Sequence, residues 1–322
     1  MKMSNILMKA AILLAACVCS VTALGQEAAG IPAASEGNAM AFLVRNTDPL
    51  SLSMAGADIA SGQTTAYSVF GNPAATCLSG KKLDVAASYS SWQPHGVSTG
   101  VTDFGVATVF GRFGLSAGVS YGLGDGYDII SAEGDRTGKF NPSEVVIGAG
   151  LSYRLTDFVS AGMNLKFAAE KIAAGNSHKI FAADIFVMAE LEDFRFTAGA
   201  RNVGSKVKSA SGEKYRIPSA ITVGASYGHV FGEKHDFLAS IEGDCHFGGG
   251  AAESLGLSYT YNGLVSIRAG YRNVSGKAPG ASFASFGAGI RFFGIRLDAA
   301  YLVASSSSPL RNTFSVGMGY SF

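Results

Sequence analysis

Charge is what this chain has least of. Only 15% of its 322 residues are Asp, Glu, Lys or Arg, against roughly 25% in ordinary soluble domains. The 25 basic and 24 acidic residues nearly cancel, leaving a formal charge of +1. That balance provides no basic footprint for nucleic acid, and no nucleic-acid partner is expected. Cysteine is scarce as well: beyond residue 25 there are only Cys77 and Cys245. One disulfide at most can form between them, so a disulfide scaffold is excluded. Past the N-terminus no apolar run approaches the roughly 18 residues that a spanning helix needs.

What is abundant points elsewhere. The chain carries 42 glycines, 21 Phe and 12 Tyr. Its first 25 residues read as an export signal: Lys2 and Lys9 are basic, Ala10 to Ala16 is apolar, and Ala23-Leu24-Gly25 precedes Gln26 as a small-residue cleavage site. Leu14-Ala15-Ala16-Cys17 also has the form of a lipoprotein cleavage box. Apolar rather than polar residues follow Cys17, which favours the first reading.

From residue 83 onward the dominant period is two. Phe113, Leu115, Ala117, Val119 and Tyr121 alternate with Gly114, Ser116, Gly118, Ser120 and Gly122. Fourteen such segments are read, at 83–92, 101–110, 112–122, 145–154, 157–167, 178–190, 193–203, 217–228, 236–247, 253–261, 263–273, 282–293, 294–304 and 312–322. Each is about the 9–11 residues that cross a bilayer as a strand. Short and long connections alternate, as in barrels with short periplasmic turns and longer outer loops. The stretch 229–235 is longer than this rhythm prefers.

A soluble sandwich also alternates, but it keeps charged residues on its solvent face. Here the non-apolar face is largely Gly and Ser. Closure also removes the edges that fourteen such strands would otherwise leave in lipid. The fold class expected is all-β: an antiparallel transmembrane barrel of about fourteen strands, over 81–322. Phe314, Val316, Met318, Tyr320 and Phe322 alternate to the chain end. An aromatic-terminated last strand is what the barrel assembly machinery recognises, so Tyr320 and Phe322 are the candidate assembly signal.

The parity opposite to the lipid face belongs to the lumen. It carries Asp84, Asp103, Lys166, Asp184, Arg195, Arg201, Glu242, Asp244, His246, Arg268, Arg272, Arg291, Arg296 and Asp298. Charges at membrane depth need an interior and partners, so a polar, mutually paired lumen is expected. A fourteen-stranded barrel is too wide for side chains alone to fill. Residues 26–80, which lack strand alternation and contain Asp48-Pro49 and Asn72-Pro73, are expected to fold inside as a plug. The glycines are expected to serve barrel curvature and lumen space.

Three stretches carry a resemblance: Phe42-Leu43, then Asp48-Pro49-Leu50-Ser51-Leu52-Ser53-Met54-Ala55-Gly56-Ala57, then Asn72-Pro73-Ala74-Ala75. They resemble the N-terminal signature of the PorV/PorQ family. Gly138-Lys139-Phe140, Val146-Ile147-Gly148, Leu155-Thr156-Asp157, Ser160 to Lys166 and Ala200-Arg201-Asn202-Val203-Gly204 are similar to that family too, in order. The resemblance implies a barrel like the FadL fatty-acid transporters, with a plug in which Asp48, Pro49, Met54, Gly56, Asn72, Pro73 and Ala74 are structural. It implies residence in the outer membrane of a Gram-negative bacterium, among the Bacteroidetes. It further implies a part in type IX secretion, with secretion components and sorting-domain cargo as partners.

A FadL-like transporter of hydrophobic small molecules is the competing function. Catalysis is not expected. The five histidines are His95, His178, His229, His235 and His246, and only His246 has acids two and four residues before it, at Asp244 and Glu242. No nucleophile is marked beside them. Three side chains on one strand face form an ion network more readily than a metal site. No cofactor motif is found.

Overall fold

A computed structural model of the chain describes residues 39–63, 65–92, 98–209, 212–306, 308 and 310–322. The expected signal at 1–25 and the first plug residues, 26–38, lie outside the described residues.

The strands in chain order are β1 (Leu83–Trp92), β2 (Thr99–Phe110), β3 (Phe113–Gly124), β4 (Tyr127–Ile130), β5 (Arg136–Phe140), β6 (Ser143–Arg154), β7 (Val159–Ala173), β8 (Asn176–Leu191) and β9 (Phe194–Gly204). There follow β10 (Val207–Lys208), β11 (Lys214–Tyr215), β12 (Ala220–Phe231), β13 (His235–His246), β14 (Ala251–Tyr261), β15 (Val265–Ser275), β16 (Phe283–Phe292), β17 (Ile295–Val303) and β18 (Phe314–Ser321). Fourteen of them form a closed antiparallel barrel in which β18 returns to β1. The pairs β4–β5 and β10–β11 are separate hairpins at the long-loop end.

Alternation in sequence becomes alternation in space. Along β3 every second residue is exposed and its neighbour buried. Phe113, Leu115, Val119 and Tyr121 point outward, and Gly114, Ser116 and Ser120 point into the lumen. The outward set around the barrel is an apolar belt, with aromatic pairs at the short-turn end such as Phe110–Phe113, Phe113–Tyr153 and Tyr320–Phe322. Aromatic girdles of this kind sit at membrane interfaces.

Two connections differ from the sequence expectation. The long loop expected over 168–177 is instead a tall hairpin, because β7 runs to Ala173 and β8 starts at Asn176. The awkward stretch 229–235 shrinks to three residues between Phe231 and His235. Gly232 and Glu233 both take positive φ there, which lets the chain reverse tightly. The short-turn rule is therefore kept at that end.

The described residues of 39–80 run through the lumen. The Ala39 amide donates to the Arg216 carbonyl at the long-loop end. At the other end Lys82 and Leu83 donate to the Phe322 carbonyl, sealing the seam. Within the plug are a 3-10 turn at Ala41–Val44, a short helix α1 (Pro49–Ser53) and a second 3-10 turn at Pro73–Leu78.

The lumen glycines turn out to be contact sites for this plug. A Cβ at Gly105 would meet the Ala66 carbonyl, at Gly118 Val69 and Phe70, and at Gly148 Val69. At Gly162 it would meet Pro73 and Ala74, at Gly224 Ile59, and at Gly256 and Gly270 Met54. At Gly287 and Gly317 the obstacles are Ser53 and Pro49. Nine strands thus give up a side chain at mid-height so that the plug can lie against the wall. The expectation that these glycines provide curvature and space is sharpened: the space is already taken.

Gly270 tests this. Its Cβ would lie 2.3 Å from the Met54 carbonyl carbon, so plug backbone must move, and overpacking of this kind costs about 1–3 kcal/mol. Gly270→Leu is expected to lower the urea midpoint of the refolded barrel and raise its single-channel conductance. Gly138→Leu, in the β4–β5 hairpin where only Ile129 Cδ1 is near at 3.8 Å, should change neither.

Candidate functional site

The plug divides the lumen into three levels. The level at the long-loop mouth is apolar. Met40, Val146, Ala168, Ile180, Ala182, Val207 and Ile217 pack there, with Phe42, Leu43 and Phe70 against them. A cavity of about 20 Å³ opens among Phe42, Leu43, Phe70 and Val146, with Arg45 and Lys166 at its polar side. Across the barrel, Leu52 and Ala55 of the plug pack on Phe283, Ala300 and Leu302.

Below the mouth Asp48, Met54, Gly56, Asn72, Pro73 and Ala74 dock the plug. Asp48 accepts a hydrogen bond from the Leu50 amide at 3.0 Å and so caps α1, with Pro49 in the first turn. Met54 is fully buried against Gly256 and Gly270. Gly56 sits at φ 81°, with Asn46 on the side where a Cβ would go. Asn72 caps the second turn through the Ala74 amide at 3.0 Å. Its own amide donates to the Ile59 carbonyl at 2.9 Å and to Thr197 at 3.0 Å, tying plug to wall. Pro73 and Ala74 lie on Gly162, and Ser160 donates to the Ala74 carbonyl at 2.8 Å.

The middle level holds a polar cavity of about 70 Å³ whose lining includes Arg45, Asp48, Asp58, Tyr67, Arg201 and Glu242. Its geometry begins at a β-bulge. Between Ala183 and Ile185 the β8–β9 register shifts, and Asn202 takes φ 52°. Asp184 accepts from the Asn202 amide at 2.8 Å and pairs with Lys166 at 2.8 Å, while Lys166 also donates to the Asn202 side chain at 2.7 Å. Arg201, which keeps the inward parity of Arg195, Thr197 and Gly199, pairs with Glu242 at 2.9 Å and with Asp244 at 3.6 Å, while the shift turns Asn202 inward and Val203 outward. Arg272 completes the group on Asp244 at 2.9 Å. Glu242 in turn accepts from the plug's Ile59 amide at 3.3 Å.

The short-turn floor is basic. Arg195 pairs with Glu190 at 2.6 Å and donates to the Ser61 carbonyl at 2.9 Å. Lys81 donates to the Gln63 carbonyl at 3.0 Å, and Arg154 donates to the Cys77 carbonyl. Three cations thus hold plug carbonyls. Asp298 accepts from Arg268 at 2.7 Å and pairs with Arg296 at 2.9 Å. Asp84 takes Lys81 at 3.1 Å and the Thr65 amide at 2.9 Å. Asp103, higher on β2, approaches Ser88 at 3.4 Å.

The sequence-level list therefore divides. Lys166, Asp184, Arg195, Arg201, Glu242, Asp244, Arg268, Arg272 and Asp298 join ion pairs, whereas Arg291 forms none among the described residues and His246 has no partner at either ring nitrogen. His246 is fully buried, with no nucleophile placed on it. Cys77 and Cys245 are both free thiols. Among the described residues no group of three or more His, Cys, Asp or Glu is placed to hold a metal ion. Arg45, which bridges the plug to Glu144 and Ser120, and Asp58 were not singled out by sequence pattern. Neither lies on an alternating strand, so no periodicity marks them.

Asp58 faces the middle cavity and accepts from Ser51 at 2.7 Å. Loss of water on burial, then the nearby Glu242 and Asp48 carboxylates, push its pKa up to about 7, against the opposing pull of Ser51 and Arg201. The docked plug therefore holds a proton that a freed Asp58 would release near pH 4. Docking is strongest below pH 4, weakens as pH rises to about 7, and is level above that. Hydrogen exchange at the 57–61 amides, corrected for intrinsic rate, should quicken over this range. Asp58→Asn should flatten the profile; an unchanged profile in the variant would remove Asp58 as its source.

No family model and no curated protein matches the chain. Solved structures do. The Pseudomonas putida toluene transporter TodX superposes with a TM-score of 0.61 at 13% identity, over 86% of this chain and 98% of TodX. The CymD monoaromatic hydrocarbon channel gives 0.58 at 12% identity, over 86% and 98%. A Pseudomonas aeruginosa FadL homologue gives 0.51 at 14%, over 87% and 99%. At these identities the likeness is one of fold: a FadL-like barrel.

Proposed function

We propose that this chain is an outer-membrane conduit for small hydrophobic molecules, with its short turns in the periplasm and its long loops outside. The apolar cluster at the long-loop mouth carries this reading. Phe42, Leu43 and Phe70 of the plug and Val146 of the wall line one side of a small cavity there, with Arg45, Thr47, Ser120 and Lys166 on the side toward the charged lumen. An apolar solute gains by leaving water for such a lining and is turned back by the ion pairs beneath it. The shared fold with the toluene transporter and the hydrocarbon channel supports the same assignment. Cargo held at the mouth advances when the plug shifts or the wall parts beside it. Membrane lipid covers the outer belt, and Tyr320 with Phe322 serves as the signal to the barrel assembly machinery.

Uptake of radiolabelled toluene by cells lacking their own hydrocarbon channel is the direct test. Expression of this chain should speed uptake, and replacing both Phe42 and Leu43 by Asn should slow it several-fold while the barrel stays heat-modifiable on gels. Uptake no faster than in cells carrying empty vector would sink the proposal.

A second reading, a PorV/PorQ-like role in type IX secretion in a Bacteroidetes outer membrane, rests on the ordered motif resemblance in the plug and wall. Affinity isolation from detergent-solubilised outer membrane separates the two. Co-purification of sorting-domain cargo favours secretion, whereas recovery of the barrel alone removes it.

A further inference from the structure

The short-turn end of the lumen holds more positive charge than it pairs. In the sector from β15 through β18 to β1 stand Lys81, Arg268, Arg291 and Arg296, against Asp84, Asp298 and the plug's Asp48. Asp298 is shared by Arg268 and Arg296, and Asp84 already takes Lys81, the Thr65 hydroxyl and the Thr65 and Ala66 amides. Arg291 lies directly across the ladder from Arg296. Its side chain is exposed to the aqueous floor and forms no hydrogen bond or ion pair among the described residues. Lys81 lies within electrostatic reach of both arginines.

Elsewhere on the same floor Arg154 donates to the Cys77 carbonyl, and Arg195 to Glu190 and Ser61.

Like charges directly opposite on neighbouring strands are destabilising. Two glycines nevertheless make room for this arrangement. A Cβ at Gly289 would lie 2.3 Å from an Asp298 oxygen and 3.0 Å from Arg268, and one at Gly319 would lie 3.1 Å from Arg296. A carboxylate would satisfy one guanidinium fork. A tetrahedral oxyanion has enough acceptors for two forks and an ammonium, and the fork matches its geometry. We propose that the short-turn end of the lumen binds a phosphate-class oxyanion between Arg291, Arg296 and Lys81. This site is separate from the apolar mouth, so it stands or falls independently of the transport reading.

Calorimetric titration of the detergent-solubilised full chain with inorganic phosphate, at low ionic strength, tests it. Saturable binding of about one phosphate per chain is expected. Arg291→Gln, which breaks no ion pair, should weaken it at least tenfold, and Arg136→Gln in the distant β4–β5 hairpin should leave it unchanged. Absence of saturable heat would overturn the site, as would equal binding by the Arg291 variant. Chloride at matched ionic strength competing as well as phosphate does would also overturn it, since only screening would then be seen.

Discussion

Lipid offers no hydrogen bonds, so every backbone amide in the wall has to find its partner within the wall. The other features of the molecule follow from that constraint. Pairing of β1 with β18 closes the sheet, and closure at fourteen strands sets a circumference that inward side chains cannot fill. An N-terminal segment occupies the space. Because it must lie close to the wall, nine strands carry glycine where it touches them. Part of the high glycine content, nine of the 42 residues, is thus a property of the plug's fit.

The charges inside follow the same logic one step later. A polar plug backbone in an enclosed lumen needs donors and acceptors, and the wall supplies them as ions: Arg195, Lys81 and Arg154 to carbonyls, Glu242 and Asp84 to amides. The bulge opposite Asp184 belongs to this set, since it turns Asn202 inward to Asp184 and Lys166. Ions that hold the plug by such bonds are structural before they are anything else. They also make the middle of the lumen hostile to an apolar solute, which places any contact with one at the Phe42–Phe70 mouth.

The proposed function rests on the sorting of apolar from charged levels within a FadL-like fold. The motif succession from Asp48 to Ala75 is compatible with that outcome as well as with secretion. Its residues cap turns and touch glycines, which is what any plug in a barrel of this width must do. A shared plug solution does not require a shared cargo.

Sequence by itself determined the wall. A period of two over ten-residue stretches is dictated by a pleated strand with lipid on one side, so fourteen strands and their inward charges were legible down to Arg195, Glu242 and Asp298. The lumen plug was legible as a segment without that period. Tertiary structure alone decided which inward charges meet. Arg201 meets two acids of β13 across β12, Asn202 turns inward at a register shift that no local pattern announces, and the Arg291 side chain is left without an acid beside its ladder neighbour Arg296. It also decided the role of the glycines and of Asp58. Their neighbours are distant in sequence, and contacts across the lumen leave no periodicity to read.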